Sequence, residues 1–193
     1  MLFDNFYVWF KKYIMMKVLL ISGENDSGKS TLIYAIATWL EQRGYQPDNV
    51  NEKGFWKFER ISEDDQTSNK NSRDIQTFFE KNGVRVYVHS ATDDEDRINE
   101  LVENVEKIKE EKIDVLITSV RNYGDNMRNL LCENMKWKES GYQLHDKNDN
   151  LIREIPLVKI KYFSATDKSN MIEWYESNLL PVVETYIKTY YGL

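Results

Sequence analysis

Residues 17–44, KVLLISGENDSGKSTLIYAIATWLEQRG, decide the fold. Lys17 to Ser22 is a nearly unbroken apolar run, which predicts a strand covered on both faces, as in the middle of a parallel sheet. Leu32, Ile33, Ile36, Trp39 and Leu40 then recur at three- and four-residue spacing and predict a helix, with Gly44 in the position of a C-cap. Between strand and helix stands Gly23-Glu24-Asn25-Asp26-Ser27-Gly28-Lys29-Ser30, a match to G-x-x-x-x-G-K-[ST]. Its two glycines allow a tight winding that turns successive N–H groups inward, and the helix adds its positive end, so the expected occupant is phosphate. Lys29 suits the β- and γ-phosphates, and the Ser30 hydroxyl suits Mg2+. A chance octet of this form occurs in a chain of this length on the order of one time in a hundred.

Glu24 and Asp26 place two carboxylates in a loop built for anions. The conflict is resolved if binding runs through backbone N–H groups while the middle side chains point away, and Asn25-Asp26 suits a tight turn. Asp26 is then a candidate for orienting an acceptor hydroxyl.

Here the chain resembles the P-loop NTPase superfamily. The resemblance implies that Gly23, Glu24, Asn25, Asp26, Ser27, Gly28, Lys29, Ser30 and Thr31 bind nucleotide, with Thr31 near the α-phosphate. Lys29 would act in catalysis, and Mg2+ would accompany the nucleotide. The second lysine found early in the loop of septum-site and arsenic-pump ATPases is missing, since Glu24 and Asn25 stand there. The Asn-Lys-x-Asp guanine signature is also absent, so ATP is expected over GTP.

Such sites need an acid after a neighbouring apolar strand to hold Mg2+ through water. Asp93 and Asp94 follow the predicted strand Val84–His89, and Asp93 is the metal candidate, although Ser90 to Asp93 also has the form of a capping box. The predicted strand Ile113–Val120 is a better strand, yet Ser119 stands where the acid is sought. Thr118-Ser119-Val120-Arg121-Asn122 is similar to the acceptor region of deoxynucleoside monophosphate kinases. That similarity implies that Arg121, and by extension Arg128, contacts phosphate through its planar fork. A second resemblance, to the accessory protein of molybdopterin-guanine dinucleotide synthesis, implies a regulatory ATPase or GTPase acting on a protein partner. A third reading is a degenerate loop that binds without catalysis.

Alternation of strands and helices over the remaining chain predicts an α/β fold, a three-layer α/β/α sandwich with a mainly parallel sheet. We expect a short strand near 48–51, a short helix over 73–82 closed by Gly83, and a helix over 94–111. Further helices are expected over 125–135 and 168–191, the latter interrupted at Pro181. Residues 142–153 read as a hairpin around HDKNDN, followed by a last strand over 155–163. The polar stretch 59–74, flanked by Arg60 and Arg73, reads as a flexible insertion. Phe55, Trp56 and Phe58 read as core, and the motif SATD at 90–93 and 164–167 as a helix start used twice.

With 193 residues, 41% of them hydrophobic, the chain suits one domain, expected over 16–193. A formal charge of −6 argues against a general nucleic-acid partner, leaving a small-molecule acceptor or a protein partner. One cysteine and two histidines exclude a disulfide or a cysteine-based zinc cluster within the chain, and a cytoplasmic setting is expected. Residues 1–15, apolar first and basic afterwards, have the reverse order of a secretory signal and are too short an apolar run to span a bilayer. They read as an extension ahead of a natural start at Met16.

Overall fold

The computed structural model describes residues 16–25, 27–48, 75–90, 92, 94–107, 112–122, 126–158 and 174–193. Asp26, Asp93, the stretch 59–74, the aromatics Phe55, Trp56 and Phe58, the second SATD and residues 1–15 lie outside them. Among the described residues eight strands form one sheet: β1 (Lys17–Gly23), β2 (Gln46–Pro47), β3 (Gln76–Lys81), β4 (Val84–His89), β5 (Val115–Arg121), β6 (Lys138–Ser140), β7 (Gln143–His145) and β8 (Leu151–Leu157). The order is β2-β3-β4-β5-β1-β8-β7-β6. The four middle strands, β4, β5, β1 and β8, run parallel, and antiparallel arms extend the sheet at both ends. The fold is thus mixed α/β around a mainly parallel core.

Four helices are described: α1 (Lys29–Gln42), α2 (Glu95–Lys107), α3 (Met127–Met135) and α4 (Leu180–Tyr191), the last preceded by a π-helical turn over Tyr175–Leu179. Successive side chains of a strand point to opposite faces, and β1 feeds two separate cores accordingly. Leu19 and Ile21 pack with Leu32, Ile33, Ile36 and Leu40 of α1 and with Val183 and Ile187 of α4. Val18 and Leu20 pack with Ile98, Leu101 and Val105 of α2 and with Leu131 and Cys132 of α3. This two-sided burial is why β1 reads as a continuous apolar run. The Tyr191 hydroxyl donates to the Val18 carbonyl at 2.9 Å and ties α4 to the first strand.

Three expectations are corrected. The stretch over 73–82 is not a helix where described: Gln76–Lys81 is a strand, paired antiparallel with β4 from Gln76↔His89 to Lys81↔Val84. Asn82 (φ 52°) and Gly83 (φ 77°) form the two-residue connection. Positive φ at both positions matches the twist of a hairpin, and Asn-Gly is the sequence that adopts it most readily. Gln76, Thr77, Phe78 and Phe79 are all buried, which a one-sided helix would not require. Next, the second arm of the hairpin expected over 142–153 and the start of the strand expected over 155–163 are one strand where described, Leu151–Leu157. β8 pairs with β7 at Leu151 and Ile152, then runs parallel to β1 from Arg153 onward. Lastly, the first SATD does not cap α2 through its serine. Ser90 Oγ accepts the Ile75 N–H at 2.7 Å, and Asp94 Oδ1 caps the helix by accepting the Arg97 N–H at 2.9 Å.

Candidate functional site

β1 ends at Gly23, and the chain turns at once: the Ser27 N–H donates to the Glu24 carbonyl at 3.3 Å. Gly28 takes φ 87°, a left-handed conformation that L side chains resist, and serves as N-cap of α1. The Leu32 N–H donates to the Gly28 carbonyl at 2.9 Å and starts the helical ladder. Gly23 is required for a different reason. A Cβ there would lie 2.5 Å from Ser27 Oγ and 2.7 Å from the Leu157 carbonyl oxygen, so only glycine lets the loop fold back between its own turn and β8.

Lys29 is 7% exposed, and its Nζ donates to the Glu24 carbonyl oxygen at 2.8 Å, spanning the loop from end to start. Ser27 is buried, Glu24, Ser30 and Thr31 are half-buried, and Asn25 is exposed. The first turn of α1 holds no acidic residue, so nothing there opposes the positive end of the helix.

β5 is hydrogen-bonded beside β1 in a register that sets Arg121 opposite Gly23, and the Asn122 N–H donates to the Gly23 carbonyl at 3.3 Å. Arg121 therefore leaves the sheet next to the start of the loop. Ligands of open α/β sheets bind at these carboxyl ends of strands. Two residues earlier, buried Ser119 donates its hydroxyl to the Ser90 carbonyl at 3.0 Å, and its own carbonyl accepts from Thr92 Oγ1. Where an acid was sought, neutral hydrogen bonds tie the ends of β4 and β5 together. Asp94 is engaged as the cap of α2. Among the described residues no group of three or more His, Cys, Asp or Glu is placed to hold a metal ion. Of the residues singled out for Mg2+, Ser30 is described, half-buried in the first turn of α1.

Arg128 is placed elsewhere than the resemblance implied. Its Nε and Nη2 donate to Glu154 Oε1 and Oε2 at 3.0 and 2.8 Å, and its Nη1 donates to Glu139 at 2.6 Å. The bond to Glu154 chiefly raises the basicity of the guanidinium. Burial pushes the Glu154 carboxyl up, but the Arg128 hydrogen bonds prevail and hold it below the usual carboxylate range. This fork clamps α3 to β8 and β6. Its partners lie 26 and 11 residues away, so no helix-face spacing could have revealed them. His89 is fully buried at the end of β4, and burial, with Arg97 adding to it, lowers its pKa to about 3, so the ring is neutral.

The profile of the AAA domain family matches residues 5–185. The chain belongs to that family. It is therefore a protein of the AAA ATPase type within the P-loop NTPase class, and Gly23 to Ser30 lies inside the matched region. No curated protein and no solved structure matches the chain. No helix among the described residues is long and apolar enough to cross a membrane.

Proposed function

We propose that this AAA domain binds Mg-ATP at Gly23 to Thr31 and transfers the γ-phosphoryl group to a small acceptor, in the manner of a nucleotide kinase. The observation that carries this reading is the register of β5, which sets Arg121 beside Gly23, together with Lys29 spanning the loop to the Glu24 carbonyl. Phosphoryl transfer needs little covalent work from the protein, and positioned positive charge supplies most of the stabilisation. The loop N–H groups and Lys29 hold the polyphosphate, and Arg121 offers two parallel N–H donors to the transferred group or the acceptor. Mg2+ neutralises developing charge on the phosphate oxygens when bound; Ser30 would hold it directly, and Asp93 would reach it through water. Asp26 would orient the attacking hydroxyl. The cytoplasm, with its ATP and its reducing conditions, is the setting that suits such a chain.

Membership of the AAA family supports a second reading, in which water is the acceptor and hydrolysis gates a protein partner. Acceptor-dependent transfer of label from the γ-position of ATP separates the two. Label appearing in one member of a panel of nucleotides and hydroxylated metabolites supports transfer, whereas release as free phosphate with every acceptor supports the ATPase. Absence of any rise in melting temperature with Mg-ATP overturns both, because a ligand of the native state must stabilise it. Lys29→Ala should lower turnover by about a hundredfold or more with the melting temperature held within a few degrees. An unchanged rate would remove the loop from the chemistry.

A further inference from the structure

The face of the sheet under α2 carries a polar row inside an otherwise apolar core. Cross-strand partners point to the same side of a sheet, and the register sets Gln76 of β3 opposite His89 of β4, and His89 opposite Thr118 of β5. Phe78, Tyr87 and Leu116, two residues away on the same three strands, pack with Ile98 and Leu101 of α2, so the row faces that helix. Gln76 is 1% exposed, and His89 and Thr118 are wholly buried.

A buried hydrogen-bonding atom without a partner is costly and rare in folded proteins. Yet Gln76 Oε1, Thr118 Oγ1 and both ring nitrogens of His89 have no hydrogen-bond partner among the described residues. Adjacent strands lie about 4.8 Å apart, so these four atoms belong to one site. Thr118 stands opposite Leu20, three residues before Gly23, which sets the site apart from the phosphate loop.

The chemistry of the four atoms selects the occupant. Burial, with Arg97 adding to it, keeps His89 neutral, so its ring offers one N–H and one lone pair. Gln76 Oε1 only accepts, and the Thr118 hydroxyl both donates and accepts. A cation would meet the positive charge that Arg97 exerts at His89, and an anion would meet the lone pairs of Gln76 Oε1. Water, donor and acceptor in one molecule, suits the whole set, and a buried water typically makes about three hydrogen bonds to groups of this kind.

We propose that structural water is enclosed between the sheet and the first turns of α2, bonded to Gln76 Oε1, the His89 ring and Thr118 Oγ1. Water that donates to Gln76 Oε1 and accepts from the Thr118 hydroxyl or the His89 N–H closes the row. The two ring nitrogens of His89 point in different directions, so more than one molecule is needed to reach both.

The test uses the full chain and two readouts. With the histidine ring nitrogens labelled, and His145→Gln removing the other ring, NMR should show a direct cross-peak between the His89 N–H and the water signal, although burial keeps bulk solvent from the ring. Thr118→Val keeps the shape of the side chain and removes its hydroxyl. With water in place the melting temperature should fall by about 2–4 °C, because the water loses a partner. In a dry row the same change deletes an unpartnered hydroxyl, and the melting temperature should rise. A His89 N–H with no water cross-peak would overturn the site, as would a melting temperature that is unchanged or higher in Thr118→Val. The cross-peak is read with Thr118 intact, so it decides the matter even where Thr118→Val does not fold.

Discussion

The two flanks of the sheet are built on different physics. On the β3–β4 side, Phe78 and Phe79 are buried, and the Phe78 ring stacks on Tyr87 with centroids 4.5 Å apart. His89 at the end of that flank is neutral and sealed from bulk solvent. On the β6–β8 side every residue of β6 is exposed, the hairpin tip carries a fully exposed tyrosine, and a charged fork from Arg128 joins buried Leu144 and Ile152 in the attachment. An apolar flank resists deformation because any change leaves a cavity, whereas a charge-clamped flank keeps solvent and space beside it. A cleft of about 430 Å³, bordered by Arg128, Glu139, Tyr142, Arg153 and Tyr186, lies on that second edge.

The largest test of this contrast is truncation in the apolar flank. Phe79→Ala should cost about 4 kcal/mol in urea denaturation, a large part of the stability of an ordinary domain. A loss below about 1 kcal/mol would mean that the flank is not packed as described.

The two flanks should also fail in acid over different pH windows. The folded pKa of His89, about 3, lies below its ordinary value of 6.5, so below pH 6.5 the unfolded chain takes up a proton that the folded chain refuses. Stability from this residue is complete above pH 6.5 and falls as the pH drops toward 3, with roughly 3 kcal/mol gone by pH 4.5. His89→Leu should flatten the stability profile between pH 6.5 and 4.5, and a profile that keeps its slope would assign the acid sensitivity elsewhere. Glu154 has a linkage of the same sign in a lower pH window, since its pKa is also lowered. Its lowered pKa contributes stability present above the ordinary carboxylate value and lost as the pH falls through the folded one. Glu154→Gln should therefore cost about 2 kcal/mol at neutral pH and little once both forms are protonated. A cost independent of pH would show that shape, not charge, holds the β8 side.

The smallest expected effect is at the apolar flank's turn. A Cβ at Gly83 meets nothing within 4 Å, so Gly83→Ala tests the φ of 77° alone and should cost about 1 kcal/mol. A neutral result would mean that the turn has relaxed to a conformation with negative φ.

The phosphate loop was legible because backbone constraint leaves its mark on residue type. Gly28 needs a positive φ and Gly23 needs an absent Cβ, and both needs are written as glycine. β1 was legible because burial on two faces demands an apolar residue at nearly every position. β3 was misread although Asn82-Gly83 carried the hairpin signal: a glycine after polar residues also ends helices, and only pairing with β4 decides between them. Ser90 and Asp94 show the same limit, since either can cap a helix and Ile75 claims the serine. Arg121 could be placed because its strand sits beside β1. Arg128 could not, because the choice between a phosphate and two distant glutamates is made by tertiary approach.

The hydrogen bond from Tyr191 to the Val18 carbonyl joins groups 173 residues apart. During synthesis, β1 and the loop leave the ribosome early, but β8, which walls Gly23 through Leu157, and α4, which covers one face of β1, follow only near the end. A nascent chain arrested before residue 150 thus carries the loop sequence without the partners that hold it in shape. Competence to bind phosphate should emerge late and abruptly in translation, and refolding of the full chain should be slow for its size, since its first strand waits for its last elements.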